Sequence, residues 1–362
     1  MTGFIAVHVG AGYHAENLRP VYKTACKEAC LAAIELLNKK CNAVQAVSAA
    51  VSKLEDCALT NAGVGSNLTL NGCVECDAGV MDGSSLNFGS VGALSNIKNP
   101  IRVAQKVLEE QNHGLLSFGR IPPCTLVGQG AVDWACEHGF ETVNDKELTT
   151  KTSRGIHLKN MCLLKSSTGS TEQGVFDLNQ KSYKESMLLD TVGAVCVDSY
   201  GNVSGAVSSG GLLLKHSGRI GQAAVYGAGC WASNSELQDE PSIACSVTGV
   251  GEYLIKTMLA KECYQMMHKD HDSVSVLPNI LKNCFIESPC LKNVSSKLAG
   301  ILAVKHYKHK NRCELSWVHS TKSMILGYMC GSDKKASVIV SLLPTSAVCG
   351  KSVVGGEENI RL

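Results

Sequence analysis

The residues best placed to do chemistry lie in Leu189-Asp190-Thr191-Val192-Gly193-Ala194-Val195. A run of small and β-branched residues begins abruptly at a threonine, directly behind a polar segment. Were the Asp190–Thr191 bond cut, Thr191 would carry a hydroxyl nucleophile and a free α-amine on one residue. That is a complete nucleophile–base unit, because the amine takes the hydroxyl proton directly or through one water. Before the cut the nitrogen is an amide and cannot act as a base. Afterwards it is an amine with an ordinary pKa of about 7.7–8.0, suited to base work near neutral pH.

Three clusters downstream have the chemistry such a threonine needs. Ser208-Ser209-Gly210-Gly211 ends a predicted strand with hydroxyls and two glycines, which permit close approach of a backbone or substrate. His216-Ser-Gly-Arg219-Ile-Gly-Gln222 sets Arg219 in a glycine-flanked loop, suited to bidentate binding of a carboxylate. Thr248-Gly249-Val-Gly-Glu252 joins a strand to a helix, where hydroxyl and backbone N–H donors can face a developing oxyanion. Other motifs carry less. Cys73-Val-Glu-Cys76 lacks a second pair for a tetrahedral metal site. Gly350-Lys-Ser352 resembles the end of a P-loop, but Thr345 stands where its first glycine belongs.

These clusters need elements to position them. Ile5–Val9 reads as a buried strand that runs into the turn Gly10-Ala-Gly12. Apolar residues at three- and four-residue spacing predict helices over 20–38, 42–56, 101–111 and 127–138. Residues 145–190 show little periodicity and read as a long flexible, processed loop. Period-two patterns then predict strands over 192–197, 202–208, 242–248, 299–304, 313–318, 324–329 and 336–342, with one long helix over 251–267. Strands, helices and then strands again predict an α/β fold, a four-layer αββα sandwich with both helical layers on a central pair of sheets.

Composition limits the functional classes. The 362 residues carry a net charge of +2, which argues against binding dominated by attraction to nucleic acid or a membrane. The basic run Lys305–Arg312 reads as a solvated hairpin tip. No apolar run reaches the roughly 18–20 residues that span a bilayer, and the first residues lack a signal-peptide pattern. The 18 cysteines are scattered at positions such as Cys26, Cys30, Cys136 and Cys196, where small apolar residues would serve. They read as reduced core thiols of a cytoplasmic or nuclear protein.

In its motifs the chain resembles the type-2 asparaginase family of N-terminal nucleophile hydrolases, and within it the threonine aspartase (taspase) branch. The resemblance runs through His8-Val-Gly-Ala-Gly12, Thr60-Asn-Ala-Gly-Val-Gly65, Cys76-Asp-Ala-Gly-Val-Met-Asp-Gly83 and Asp190-Thr-Val-Gly-Ala-Val195. It continues through Ser208-Ser-Gly-Gly211, Gly218-Arg-Ile-Gly-Gln222 and Thr248-Gly-Val-Gly-Glu252. Trp317-Val-His-Ser-Thr-Lys-Ser-Met324 and Gly327-Tyr-Met329 point to the taspase branch.

The resemblance implies self-cleavage at Asp190–Thr191, giving an α subunit (1–190) and a β subunit (191–362) of one catalytic domain. The two would form a heterodimer, expected to pair into a dimer of heterodimers. Thr191 would be the nucleophile, assisted by Ser209. Arg219 would bind a substrate carboxylate, Thr248 and Gly249 would lie on the oxyanion side, and Asn61 would lie near the substrate. No cofactor or metal is implied. Where asparaginases carry an aspartate for the substrate's amino group, this chain has Gln222. The neutral amide removes an ammonium partner worth on the order of 1–3 kcal/mol. The expectation is therefore a threonine endopeptidase that cuts proteins after aspartate, with nuclear regulatory proteins as the implied substrates. The alternative is an L-asparaginase or β-aspartyl dipeptidase.

Overall fold

The structure, a computed structural model, describes residues 2–168, 190–237, 240–269 and 276–362. Its first layer is helical. Helix α1 (Arg19–Asn38) places Tyr22, Cys26, Ala29, Ala33 and Leu37 on one buried face. Helix α2 (Ala43–Glu55) starts at a capping box, in which Asn42 and Gln45 satisfy each other's backbone N–H groups. Helix α3 (Pro100–Gln111) begins on a proline, whose missing N–H costs nothing there. Their apolar faces cover Ile5, Val7, Val192, Ala194 and Cys196 of the sheet beneath.

That sheet has eight strands: β1 (Phe4–Gly12), β2 (Cys76–Asp82), β3 (Phe88–Leu94), β4 (Thr125–Val127), β5 (Val192–Val197), β6 (Val203–Ser209), β11 (Ser323–Cys330) and β12 (Ser337–Leu342). Their order is β12-β11-β1-β5-β6-β2-β3-β4. The second sheet comprises β7 (Cys230–Ser233), β8 (Ser242–Gly249), β9 (Ala299–Tyr307), β10 (Arg312–His319) and β13 (Val354–Arg361), in the order β13-β10-β9-β8-β7. Alternation along β1 and β5 turns Phe4, Ala6, Val195 and Val197 toward this second sheet, in one core with Ala244, Leu302 and Val304. Helices Gly251–Thr257 and Leu259–Lys269 cover its far face, where Cys245 Sγ bonds the Ala260 carbonyl. The four-layer αββα sandwich is therefore present.

Four local expectations need correction. The stretch from residue 145 is not structureless as far as residue 168: Asp145–Leu148 and Lys151–Thr168 are helical. Reciprocal bonds between Thr150 and Ser153 start the longer helix. It lies largely exposed, with Ser153 and Asn160 the buried residues among those described, so no apolar stripe announces it. The rest of the expected processed loop, residues 169–189, lies outside the described residues. The long helix over 251–267 is two helices, broken at Met258 (φ +46°), where the Gly227 carbonyl accepts the Lys261 N–H. The basic run is only partly a solvated tip, because Lys305 and His306 are buried in β9. Cys26, Cys30 and Cys196 are core thiols, whereas Cys136 is exposed. No helix among the described residues is long and apolar enough to cross a membrane.

Candidate active site

Strand register builds the site. β5 pairs with β6 so that Val192 faces Ser208, and one step further along sets Thr191 opposite Ser209. On the other side of β6, Ser209 faces Asp77 of β2. Thr191 is buried, and its hydroxyl donates to Ser209 Oγ at 3.0 Å. Ser209 Oγ also accepts the Gly211 N–H at 3.0 Å, and Gln222 Nε2 donates to Thr191 Oγ1 at 3.4 Å. The nucleophile candidate thus has one hydroxyl acceptor and one amide donor.

Asn61 contributes through its backbone. Its N–H donates to the carbonyl of Asp190 at 3.1 Å, which is the carbonyl that Thr191 Oγ1 would attack. The side chain fixes the surroundings: Nδ2 donates to the Gly211 carbonyl at 2.8 Å, and Oδ1 accepts the Asn67 N–H at 2.9 Å. The glycine-rich loop over 60–65 therefore clamps both the Asp190 carbonyl and the loop after Ser209. Thr248 and Gly249 end β8 beside the bulged end of β1, which is strand rather than the expected turn, with Thr248 Oγ1 accepting the Ala11 N–H at 3.3 Å. Gly249 has φ +148°, and a Cβ there would lie 2.4 Å from the Leu298 carbonyl oxygen.

Arg219 already holds a carboxylate, that of Glu252. Its fork is engaged, with Nε and Nη2 donating to the two carboxylate oxygens of Glu252 at 2.7 and 2.6 Å. The loop it shares with Gln222 is held by buried Asp77, which accepts the Gly221 N–H at 2.7 Å and the Ala93 N–H at 2.9 Å. Burial raises the Asp77 pKa, and the nearby Lys215 and Arg219 charges and the two N–H bonds oppose that rise. Lys215 is itself buried, with Nζ donating to the Glu75 carbonyl at 2.6 Å.

Reasoning from sequence missed several further groups. Tyr22 OH donates to Asp190 Oδ2 at 3.4 Å, and His14 Nε2 stands 3.5 Å from Asp190 Oδ1. His8 is fully buried. Its Nδ1 accepts the Gly10 N–H and its Nε2 lies 2.9 Å from Ser246 Oγ, so the ring is the neutral Nε2–H tautomer. Burial lowers its pKa to about 3, against a hydrogen bond to the Thr191 backbone that raises it. His8 and Asp77 lie within motifs already singled out. Tyr22 gave no signal, because it occupies an ordinary position on the apolar face of α1.

Burial lifts the Asp190 pKa from 3.8 to about 6, while the His14 charge and the Tyr22 hydrogen bond pull it down. The folded precursor therefore holds this proton more tightly than the unfolded chain does. The stability so gained is present below about pH 4 and is lost as pH rises through about 6, on the order of 3 kcal/mol. Urea unfolding of the uncut Thr191→Ala protein should show the fall. Adding Asp190→Asn should flatten it, and equal slopes in the two proteins would assign the fall to another group.

An asparaginase family model (Asparaginase_2) matches residues 1–339. An isoaspartyl peptidase/L-asparaginase of Xenopus laevis is 38% identical over 261 residues, covering 72% of this chain and 74% of that protein. An isoaspartyl peptidase of Escherichia coli is 30% identical over 307 residues, covering 83% and 86%. A plant-type L-asparaginase of Thermococcus kodakarensis is 37% identical over 272 residues, covering 74% and 81%. The likeness takes in both halves that build the site, and the fold agrees with it. The chain belongs to the asparaginase family, of type 2, among the N-terminal nucleophile hydrolases.

Proposed function

We propose that this hydrolase activates itself by cutting Asp190–Thr191 and then cleaves protein chains after aspartate, the activity of the threonine aspartase branch. In the first step Thr191 Oγ1 attacks the Asp190 carbonyl carbon while the Asn61 N–H takes the developing oxyanion charge. The C–N bond breaks, the hydroxyl proton ends on the new amine, and water hydrolyses the resulting ester. Fragments 1–190 and 191–362 remain together as α and β subunits, expected to pair as a dimer of heterodimers in the cytoplasm and nucleus.

In the second step the liberated amine of Thr191 is the base and its hydroxyl the nucleophile. Ser209 orients that hydroxyl, Thr248 and Gly249 face the substrate oxyanion, and Arg219 reads the aspartate carboxylate. The observation that carries the endopeptidase reading is Gln222, buried beside Thr191 with a neutral amide. An amide has no charge to offer a free α-ammonium, so a continuing peptide chain is tolerated there. The names of the relatives favour the second reading, an isoaspartyl peptidase or L-asparaginase, better than the first.

Side-by-side assay of an aspartate-containing peptide, a β-aspartyl dipeptide and L-asparagine separates the two. The aspartyl peptide should be preferred, and Gln222→Asp should move preference toward the free amino acid by about 10- to 100-fold. Turnover of only the dipeptide and asparagine by the unaltered enzyme would establish the second reading.

A further inference from the structure

A guanidinium offers two edges to planar carboxylates: one formed by Nε and Nη2, the other by Nη1 and Nη2. Glu252 occupies the first edge of Arg219. Glycine backbones line the rest. A Cβ built on Gly211 would lie 2.7 Å from Nη1, one on Gly221 2.9 Å from Nη1, and one on Gly251 2.7 Å from Nη2. The same Gly211 Cβ would lie 3.3 Å from Lys215 Nζ, so two cations converge there. Gly211 follows Ser209 and Gly210, while Gly221 precedes Gln222, so the backbone beside the second edge of Arg219 runs directly into the two residues whose side chains meet Thr191.

We propose that Glu252 is a positioning residue: it holds one edge of Arg219 so that the other meets the substrate carboxylate. This rests on the reading above only in taking Arg219 as the carboxylate reader. Glu252 stands in the first turn of helix Gly251–Thr257, directly after the Thr248–Gly249 end of β8, so the backbone of the site fixes its place. Its carboxyl is half-buried, which pushes its pKa up, but the Arg219 hydrogen bond and charge outweigh that and hold it below the usual range. Glu252 is therefore ionised at neutral pH. The pair sums to zero charge, and the buried Lys215 lies beside it as a further cation, facing Asp77.

The test uses self-cleaved enzyme carrying Glu252→Ala or Glu252→Gln. It measures kcat and KM on whichever aspartyl substrate the unaltered enzyme turns over, together with calorimetric binding of N-acetyl-L-aspartate. Glu252→Ala should raise KM and weaken that ligand about tenfold or more, while kcat falls less than about threefold. Glu252→Gln keeps one oxygen acceptor for Arg219 and should fall between the two, and it carries the test should the alanine variant not fold. Unchanged or tighter binding in these variants would overturn the inference, making Glu252 a bystander or a competitor for Arg219. A wild-type enzyme that binds N-acetyl-L-aspartate but cuts no aspartyl peptide would defeat the endopeptidase reading alone.

Discussion

Thr191→Ala should leave the chain in one piece of 362 residues, where the unaltered protein resolves into fragments 1–190 and 191–362. It removes the hydroxyl proposed to attack the Asp190 carbonyl. Loss of a nucleophile from such a unit costs on the order of 10⁶ in kcat. The fold should survive. Ser209 Oγ still accepts the Gly211 N–H, and the lost Thr191–Ser209 bond is worth about 1 kcal/mol, a small part of a domain's stability. Thr191→Ser keeps the hydroxyl and should still mature, more slowly because the methyl that limits its rotamers is gone. Intact mass spectrometry distinguishes these outcomes. A Thr191→Ala protein that appears as the same two fragments would sink the mechanism.

Gly10→Ala should slow maturation by about 100-fold or more, although Gly10 has no side chain to do chemistry. Gly10 lies where β1 slips register against β11, between His8 and Ala11, with φ +102°. A Cβ there would lie 2.5 Å from Asp190 Cα and 3.1 Å from its carbonyl carbon. Backbone cannot yield as a flexible side chain can, so the methyl must displace the junction by about 1 Å, a shift that costs around 100-fold in a positioned reaction. The strained φ adds about 1–3 kcal/mol. Following fragment formation after cell-free synthesis measures the effect, and maturation at the wild-type rate would show that the contact is dispensable.

What the sequence made legible follows burial. Helices α1, α2 and α3 each lay one apolar face on the first sheet, so their spacing betrays them. The exposed helix Lys151–Thr168 lays down almost none, and its periodicity vanishes. Strand β13 reads Val-Gly-Gly-Glu-Glu-Asn-Ile-Arg, a half-exposed edge with no apolar alternation, and it was equally silent. At the site, Thr191, Ser209 and Gln222 were readable because their side chains, which meet there, stand in motifs. Asn61 was readable as a position in a glycine-rich loop, but not the reach of its backbone N–H to Asp190, since every residue except proline has that donor. Tyr22 reaches Asp190 across 168 residues of sequence, and Glu252 reaches Arg219 across 33. Only the packed layers bring those pairs together.

The eight-stranded sheet has a further consequence. The first half of the chain supplies β1, β2, β3 and β4, and the second half supplies β5, β6, β11 and β12. β1 lies between β11 and β5, and β2 lies against β6, so three ladders join one half to the other. Cutting Asp190–Thr191 leaves all three intact while removing the covalent link that once held the halves at high effective concentration. The precursor folds as one chain. A chain cut there and then unfolded would have to find its own other half in solution, so its folded state would be a memory of having been synthesised whole.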